Sequence, residues 1–222
     1  MKSTRRPVQK TAAAGISPTW WIVGLIAVIA GIGLIAIVGL PAACRNQAMT
    51  SATKTLGDPN APIKLEEYAD FQCPACGAYA RGTIKQIEDK YVANGTVQII
   101  FRHFAFIGEE SIRAAEAAEC ANEQGKFWEM YDTLFNNQAG ENQGAFADDK
   151  LSGFAQGLGL DMSKFSTCFS SGKYRALIQS ETANGQLRGV SSTPTSFIND
   201  KKVVGAISLQ QFETTIGPLL PK

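Results

Sequence analysis

Apolar and polar positions change rhythm several times along the chain, and each change predicts an element. Trp20 to Leu40 is an unbroken run of 21 apolar residues and glycines. As a helix this run is about 31 Å long, the thickness of one bilayer core. Residues 41–56 lose all periodicity and are mostly Ala, Thr, Ser, Asn and Gln, the pattern of a flexible linker. Gly57-Asp58-Pro59-Asn60 is turn chemistry. Ile63 to Ala69 alternates and reads as a strand. A helical stretch follows Cys73 to about Val92 and stops at Asn94-Gly95. Val97 to Phe101 reads as a second, largely buried strand ending near His103. Residues 109–188 carry helical periodicity, broken near Gly125, Gly140, Gly159 and Gly172. Thr195–Ile198 and Lys202–Val204 read as short strands about a turn at Asn199-Asp200. A last helix is expected from about Ser208 to Ile216. The order is βαβ, a helical block, then ββα, an α/β domain over residues 57–222.

Charge placement sharpens the reading of the first run. Residues 1–56 hold six Lys/Arg and no acid, while residues 57–222 hold the other 15 bases and all 20 acids, a net of −5. A basic tail on a mildly acidic domain argues against nucleic acid as partner. Four of those bases precede Trp20, and Trp20 and Trp21 stand where interfacial aromatics are favoured. The expectation is a cytoplasmic tail over residues 1–19, a transmembrane anchor over 20–40 and the domain on the extracytoplasmic side. A cleaved signal peptide is a second reading, although its apolar region is ordinarily about 7–15 residues. A third is a lipoprotein: Pro41-Ala42-Ala43-Cys44 resembles a lipobox, with Pro41 where Leu is usual, and makes Cys44 a candidate for acylation. All three readings export residues 57–222.

Candidate chemistry centres on Cys73-Pro74-Ala75-Cys76, between a predicted strand and a predicted helix. A cysteine at a helix N-terminus faces unsatisfied N–H groups and the positive end of the dipole, which favour the thiolate. A thiolate is both the attacking species and the better leaving group. Pro74 suits the first helical turn, where its missing N–H is not needed. Half of a metal site is the competing reading, but no clustered ligands complete one and only His103 offers an imidazole. An ordinary structural disulfide is the other, and rarely spans two residues at a helix start. Glu67 lies six residues before Cys73, in phase with Ile63 and Leu65, and is expected to point inward. A buried carboxyl there has a raised pKa and the means to exchange protons with Cys76. Asp70 is a weaker candidate for the same role. Cys120 and Cys168 are expected to form a structural disulfide if the domain is exported, the alternative being two buried thiols. Phe127, Trp128, Tyr131, Leu134 and Phe135 fall at helical spacing and read as core. Arg113, Glu116 and Glu119 read as a solvated helix face.

Three segments carry a family resemblance. Ala61-Pro62 followed by Glu67 to Cys76 resembles the first strand and active site of DsbA-like thiol–disulfide oxidoreductases. Cys120 to Tyr131 resembles the helical-insert signature of that family, and Thr193 to Asn199 its cis-proline loop and following strand. The resemblance implies a thioredoxin-like fold with an inserted helical subdomain, and disulfide transfer to exported, unfolded polypeptides. It implies reoxidation by a quinone-linked membrane oxidase, DsbB-like or vitamin K epoxide reductase-like, and no cofactor in the chain itself. It makes Cys73 the exposed nucleophile, Cys76 the buried resolving thiol, and Thr193-Pro194 a cis peptide facing them. An acid at the Glu67 position is also part of the pattern. The chain departs from it at Ala75, where strong oxidants often carry His, at Ser192, often Gly, and at Ala105, often Pro. Ala75 leaves open a reductase or isomerase on the same scaffold. A tethered copper or soft-metal chaperone is a further alternative.

Overall fold

The computed structural model describes residues 54–220. Five strands form one mixed sheet: β1 (Thr55–Leu56), β2 (Ile63–Ala69), β3 (Val97–His103), β4 (Thr195–Ile198) and β5 (Lys201–Val204), in spatial order β1-β3-β2-β4-β5. β2 and β3 run parallel, with Ile63 beside Val97 and Ala69 beside His103. β4 is antiparallel to β2, β5 to β4, and β1 to β3. The parallel pair needs a crossover. α1 supplies it, beginning as Pro74–Tyr79 and continuing through π-helical turns at Ala80–Ile84 and Glu88–Val92.

Strand alternation sets the packing. Ile63 and Leu65 of β2, Val97 and Ile99 of β3 and Ile198 of β4 share a face with Tyr79, Ile84 and Ile87 of α1. α7 (Leu209–Ile216) adds Phe212 and Ile216 to this layer. Its start is fixed by a capping box between Ser208 and Gln211. Between β3 and β4 lie five helices: α2 (Glu109–Asn122), α3 (Phe127–Asn136), α4 (Asp148–Gly157), α5 (Met162–Ser170) and α6 (Arg175–Leu187). This is the inserted subdomain, and its core contains Phe127, Tyr131, Leu134 and Phe135 packed around Phe71 and Phe101. The Cys120–Cys168 disulfide joins α2 to α5 across a Cα separation of 5.8 Å.

The structure corrects two expectations. The linker reading runs to Leu56, yet Thr55 and Leu56 pair with β3, and Lys54 is completely buried. Its backbone carbonyl accepts from Phe101 N at 2.9 Å, and its ammonium donates to Glu119 at 2.6 Å and Glu181 at 2.8 Å. Charge, not hydrophobicity, brings this segment into the domain, which is why composition conceals it. For the same reason the solvated face fails at Glu119, the partner of Lys54 and of the His103 ring at 3.0 Å. Glu116 is buried between Arg113 and Arg175. Burial pushes the Glu119 carboxyl up, but His103 and Lys54 outweigh it and hold the pKa to about 2. No described helix is long and apolar enough to cross a membrane. The apolar run over 20–40 and Cys44 lie outside the described residues.

Candidate active site

Cys73 is the N-cap of α1, with φ −67° and ψ 119°, and Pro74 occupies the first turn. Helical geometry begins only after the cap, so the Cys73 side chain faces the free N–H groups of that turn. The thiol donates to the Thr193 carbonyl at 3.4 Å. The Thr193-Pro194 peptide is cis, which brings this loop from the far end of the chain onto the dithiol. The Thr193 hydroxyl is buried and has no other partner among the described residues, so it is free to donate once the thiol ionises.

The two sulfurs have different surroundings. Cys76 is fully buried and Cys73 is 8% exposed, less open than the exposed nucleophile expected from the sequence. Pro74 and Ala75 between them face solvent. The Cys76 thiol donating to it draws the Cys73 pKa down to about 6, against the effect of burial. Thr193 and the backbone N–H groups of Cys76 and Ala75 help. Burial pushes Cys76 far above the ordinary thiol range, and Cys73 and Glu67 add to the shift. One sulfur is therefore an anion at neutral pH while the other keeps its proton.

Glu67 sits beneath Cys76 on the α1 side of β2, opposite Ser196 in the β2–β4 register. Burial raises its pKa to about 8, with a hydrogen bond from Tyr131 opposing at 3.3 Å and Glu88 assisting. Its second oxygen, Tyr79 Oη and Ser196 Oγ are buried without hydrogen-bond partners among the described residues. Asp70 faces elsewhere. Its carboxylate gathers Gln72 N, Ser111 Oγ, Phe106 N and Ile107 N at 2.6–3.1 Å, fixing the loop before Cys73 against the loop after β3. Asp70 is thus a bracing residue, distant in role from the proton exchange considered for it.

The structure brings Cys73, Cys76, Thr193, Pro194 and Glu67 together; Cys120 and Cys168 lie apart in the insertion. It adds residues that sequence reading missed. Gln138 Nε2 donates to the Phe71 and Cys73 carbonyls, at 2.7 and 3.0 Å. Gln72 binds Ser111 and Asn142. No local pattern singles out Gln138, because it approaches the site from the end of α3. Tyr131 falls inside a helical apolar pattern, and only its hydroxyl hints at more than packing. Among the described residues no group of three or more His, Cys, Asp or Glu is arranged to hold a metal ion.

Residues 49–217 match the family described as Thioredoxin. The chain belongs to the thioredoxin family. Within it, the chain is DsbA-like in sequence and fold. It is 29% identical over 153 residues to the probable disulfide bond formation protein D of Bacillus cereus, covering 67% of this chain and 71% of that protein. It is 30% identical over 162 residues to the Na(+)/H(+) antiporter NhaA 1 of Salinispora arenicola, covering 72% of this chain but only 24% of that protein. Among solved structures, alpha-DsbA1 of Wolbachia pipientis superposes with a TM-score of 0.67 at 28% identity, over 75% of this chain and 89% of that one. Oxidised BdbD of Bacillus subtilis gives a TM-score of 0.70 at 22% identity, over 75% and 91%, a likeness of fold.

Proposed function

We propose that this thioredoxin-family protein is an extracytoplasmic oxidase that introduces disulfides into exported, unfolded polypeptides. The observation that carries this reading is the unequal pair of sulfurs. A couple whose reduced form is stabilised as a Cys73 thiolate gives up its disulfide readily, and is oxidising. In the oxidised state a substrate thiolate attacks Cys73 Sγ. The Cys73–Cys76 bond breaks, and Cys76 leaves with the electron pair. Burial makes that anion costly, so Cys76 takes a proton, and Glu67, a buried acid protonated at neutral pH whose charge acts on Cys76, is the donor in this reading. A second substrate thiolate then attacks the substrate sulfur of the mixed disulfide. A substrate disulfide forms and Cys73 departs as its stabilised thiolate. Two electrons have moved from substrate to protein. Thr193, held beside Cys73 by the cis peptide, offers its backbone to an extended substrate.

Reoxidation requires a membrane partner that accepts those two electrons, and a quinone-linked oxidase has that chemistry. Residues 20–40 serve in this reading as a single-pass anchor with residues 1–19 inside, with acylation at Cys44 as the alternative means of attachment. The homology to a named disulfide bond formation protein supports the substrate class. One observation favours a milder reductase or isomerase instead. The leading groups that lower the Cys73 pKa are neutral donors, and Ala75 brings no charge to the site. The reduction potential of the Cys73–Cys76 couple, equilibrated against glutathione, separates the two. A value of about −120 to −180 mV supports the oxidase. A value near −270 mV, that of thioredoxin, refutes it and assigns the chain to the reductases.

A further inference from the structure

We infer that Gln138, supplied by the helical insertion, is a positioning residue that holds Cys73 in its thiolate-stabilising geometry; this rests on Cys73 being the attacking thiol. Gln138 is half-buried, two residues past the end of α3. Its single amide nitrogen donates to two carbonyls of the active-site loop, those of Phe71 at 2.7 Å and Cys73 at 3.0 Å. The Cys73 carbonyl also accepts Gly77 N at 3.1 Å, the first turn of α1. The same oxygen is therefore shared by the helix that stabilises the thiolate and by a side chain from another subdomain.

The other half of the amide explains a residue choice within α1. A Cβ built on Gly77 would run into the Gln138 amide and crowd Arg81 Nη1. Glycine at this position leaves the room in which the amide lies across the first turn. The donor of Gln138, the space at Gly77 and the two carbonyls flanking the nucleophile form one fitted contact.

Its chemical consequence is electrostatic. The Phe71 and Cys73 carbonyl oxygens are negative ends of dipoles in the loop that carries the nucleophile, and left without a donor they oppose an anion at Cys73. An amide N–H₂ bound to both offsets that opposition. It also pins the backbone on either side of residue 72, and with it the extended cap conformation that directs Sγ to the free N–H groups and to Thr193. Loss of this donor costs about one hydrogen bond of thiolate stabilisation, which raises the Cys73 midpoint by about half to one pH unit. The thiolate fraction below the midpoint then falls about three- to tenfold.

The test uses the full chain, reduced, with the 240 nm absorbance of the thiolate followed against pH. Q138M keeps the volume and removes the donor; Q138E keeps acceptors only and faces both carbonyls with negative charge. Both are expected to raise the midpoint, Q138E the more, while near-ultraviolet circular dichroism shows the native packing retained. A folded Q138M with the parent's midpoint overturns the inference. In the unaltered protein, the Gln138 side-chain amide resonances are expected to shift with the Cys73 midpoint in ¹H–¹⁵N spectra. Resonances that stay flat through that midpoint overturn it whatever the variants do. A parent that titrates only at the ordinary thiol value of 9.0 removes the assignment of Cys73 itself. A parent midpoint near 6 with an unmoved Q138M removes the role of Gln138 alone.

Discussion

Replacing Glu67 with Gln tests the buried acid through stability, independently of any assay of disulfide transfer. In the folded chain the carboxyl has a pKa of about 8, against an ordinary value of 4.5. Between these values the folded state holds the proton and the unfolded state has lost it. A folded pKa raised above the unfolded one gives a contribution that is fully present below pH 4.5 and lost as pH rises through 8. At pH 7 the gap from the unfolded pKa is about 2.5 units, or about 3 kcal/mol, growing to about 5 kcal/mol above pH 8. Glutamine does not titrate, and its carbonyl can still accept from Tyr131. The stability of Glu67→Gln relative to the parent should therefore climb with pH by about 3 kcal/mol between pH 4 and pH 7. Urea denaturation of the reduced full chain, followed by circular dichroism at closely spaced pH values, measures this difference. Comparing the two proteins at each pH cancels the titration of Cys73, which both retain. A difference that stays flat from pH 4 to pH 8 would show that Glu67 ionises normally, and the argument from its burial would fall.

The other expectations follow from the same geometry. The Cys73 thiolate should appear with a midpoint near 6, read by pH-dependent alkylation with Cys76 replaced by Ser as a check on the Cys76 contribution. Because that pKa is lowered from 9.0, the reduced protein gains stability relative to the oxidised one as pH rises from 6 to 9. An unchanged difference between the two forms over that window would contradict the assignment. Replacing Cys120 and Cys168 together with Ala should lower stability by about 4 kcal/mol, from the loop of 48 residues they close, and leave disulfide transfer at Cys73 intact. Loss of transfer in a variant that still folds would mean the second pair takes part in the chemistry. Lys54→Met should cost about 3–5 kcal/mol, because it removes the cation shared by the buried carboxylates of Glu119 and Glu181. Adding Glu119→Gln to it should recover part of the loss, and thermal unfolding measures both steps.

The fold was legible because its elements announce themselves locally. The alternation of β2, the Pro74 first turn, the start of the last helix near Ser208 and the glycines between the helices are read within a few residues of where they act. Gly125 and Gly159, at φ +71° and +70°, end their helices as such residues do. The dithiol was legible for the same reason, and Glu67 through its strand phase. What stayed hidden depends on distance in the chain. The Lys54 ammonium meets carboxylates 65 and 127 residues away, and a basic residue in a polar stretch gives no sign of that. Gln138 meets Cys73 across 65 residues, through a side chain with no local pattern. Glu116 and Glu119 look solvated in a helix read alone, because their partners lie in other elements.

Lys54 also decides how the domain bears a mechanical load. β1 is two residues long and lies at the sheet's edge, and a strand so short peels away one hydrogen bond at a time. The ammonium behind it acts as a toggle bolt. Completely buried, it is held by Glu119 of α2 and Glu181 of α6. A pull on Lys54 is carried past β1 into the insertion. Withdrawal requires dragging a charge through a dry interior past two carboxylates, so the junction yields abruptly under force and not by gradual unzipping.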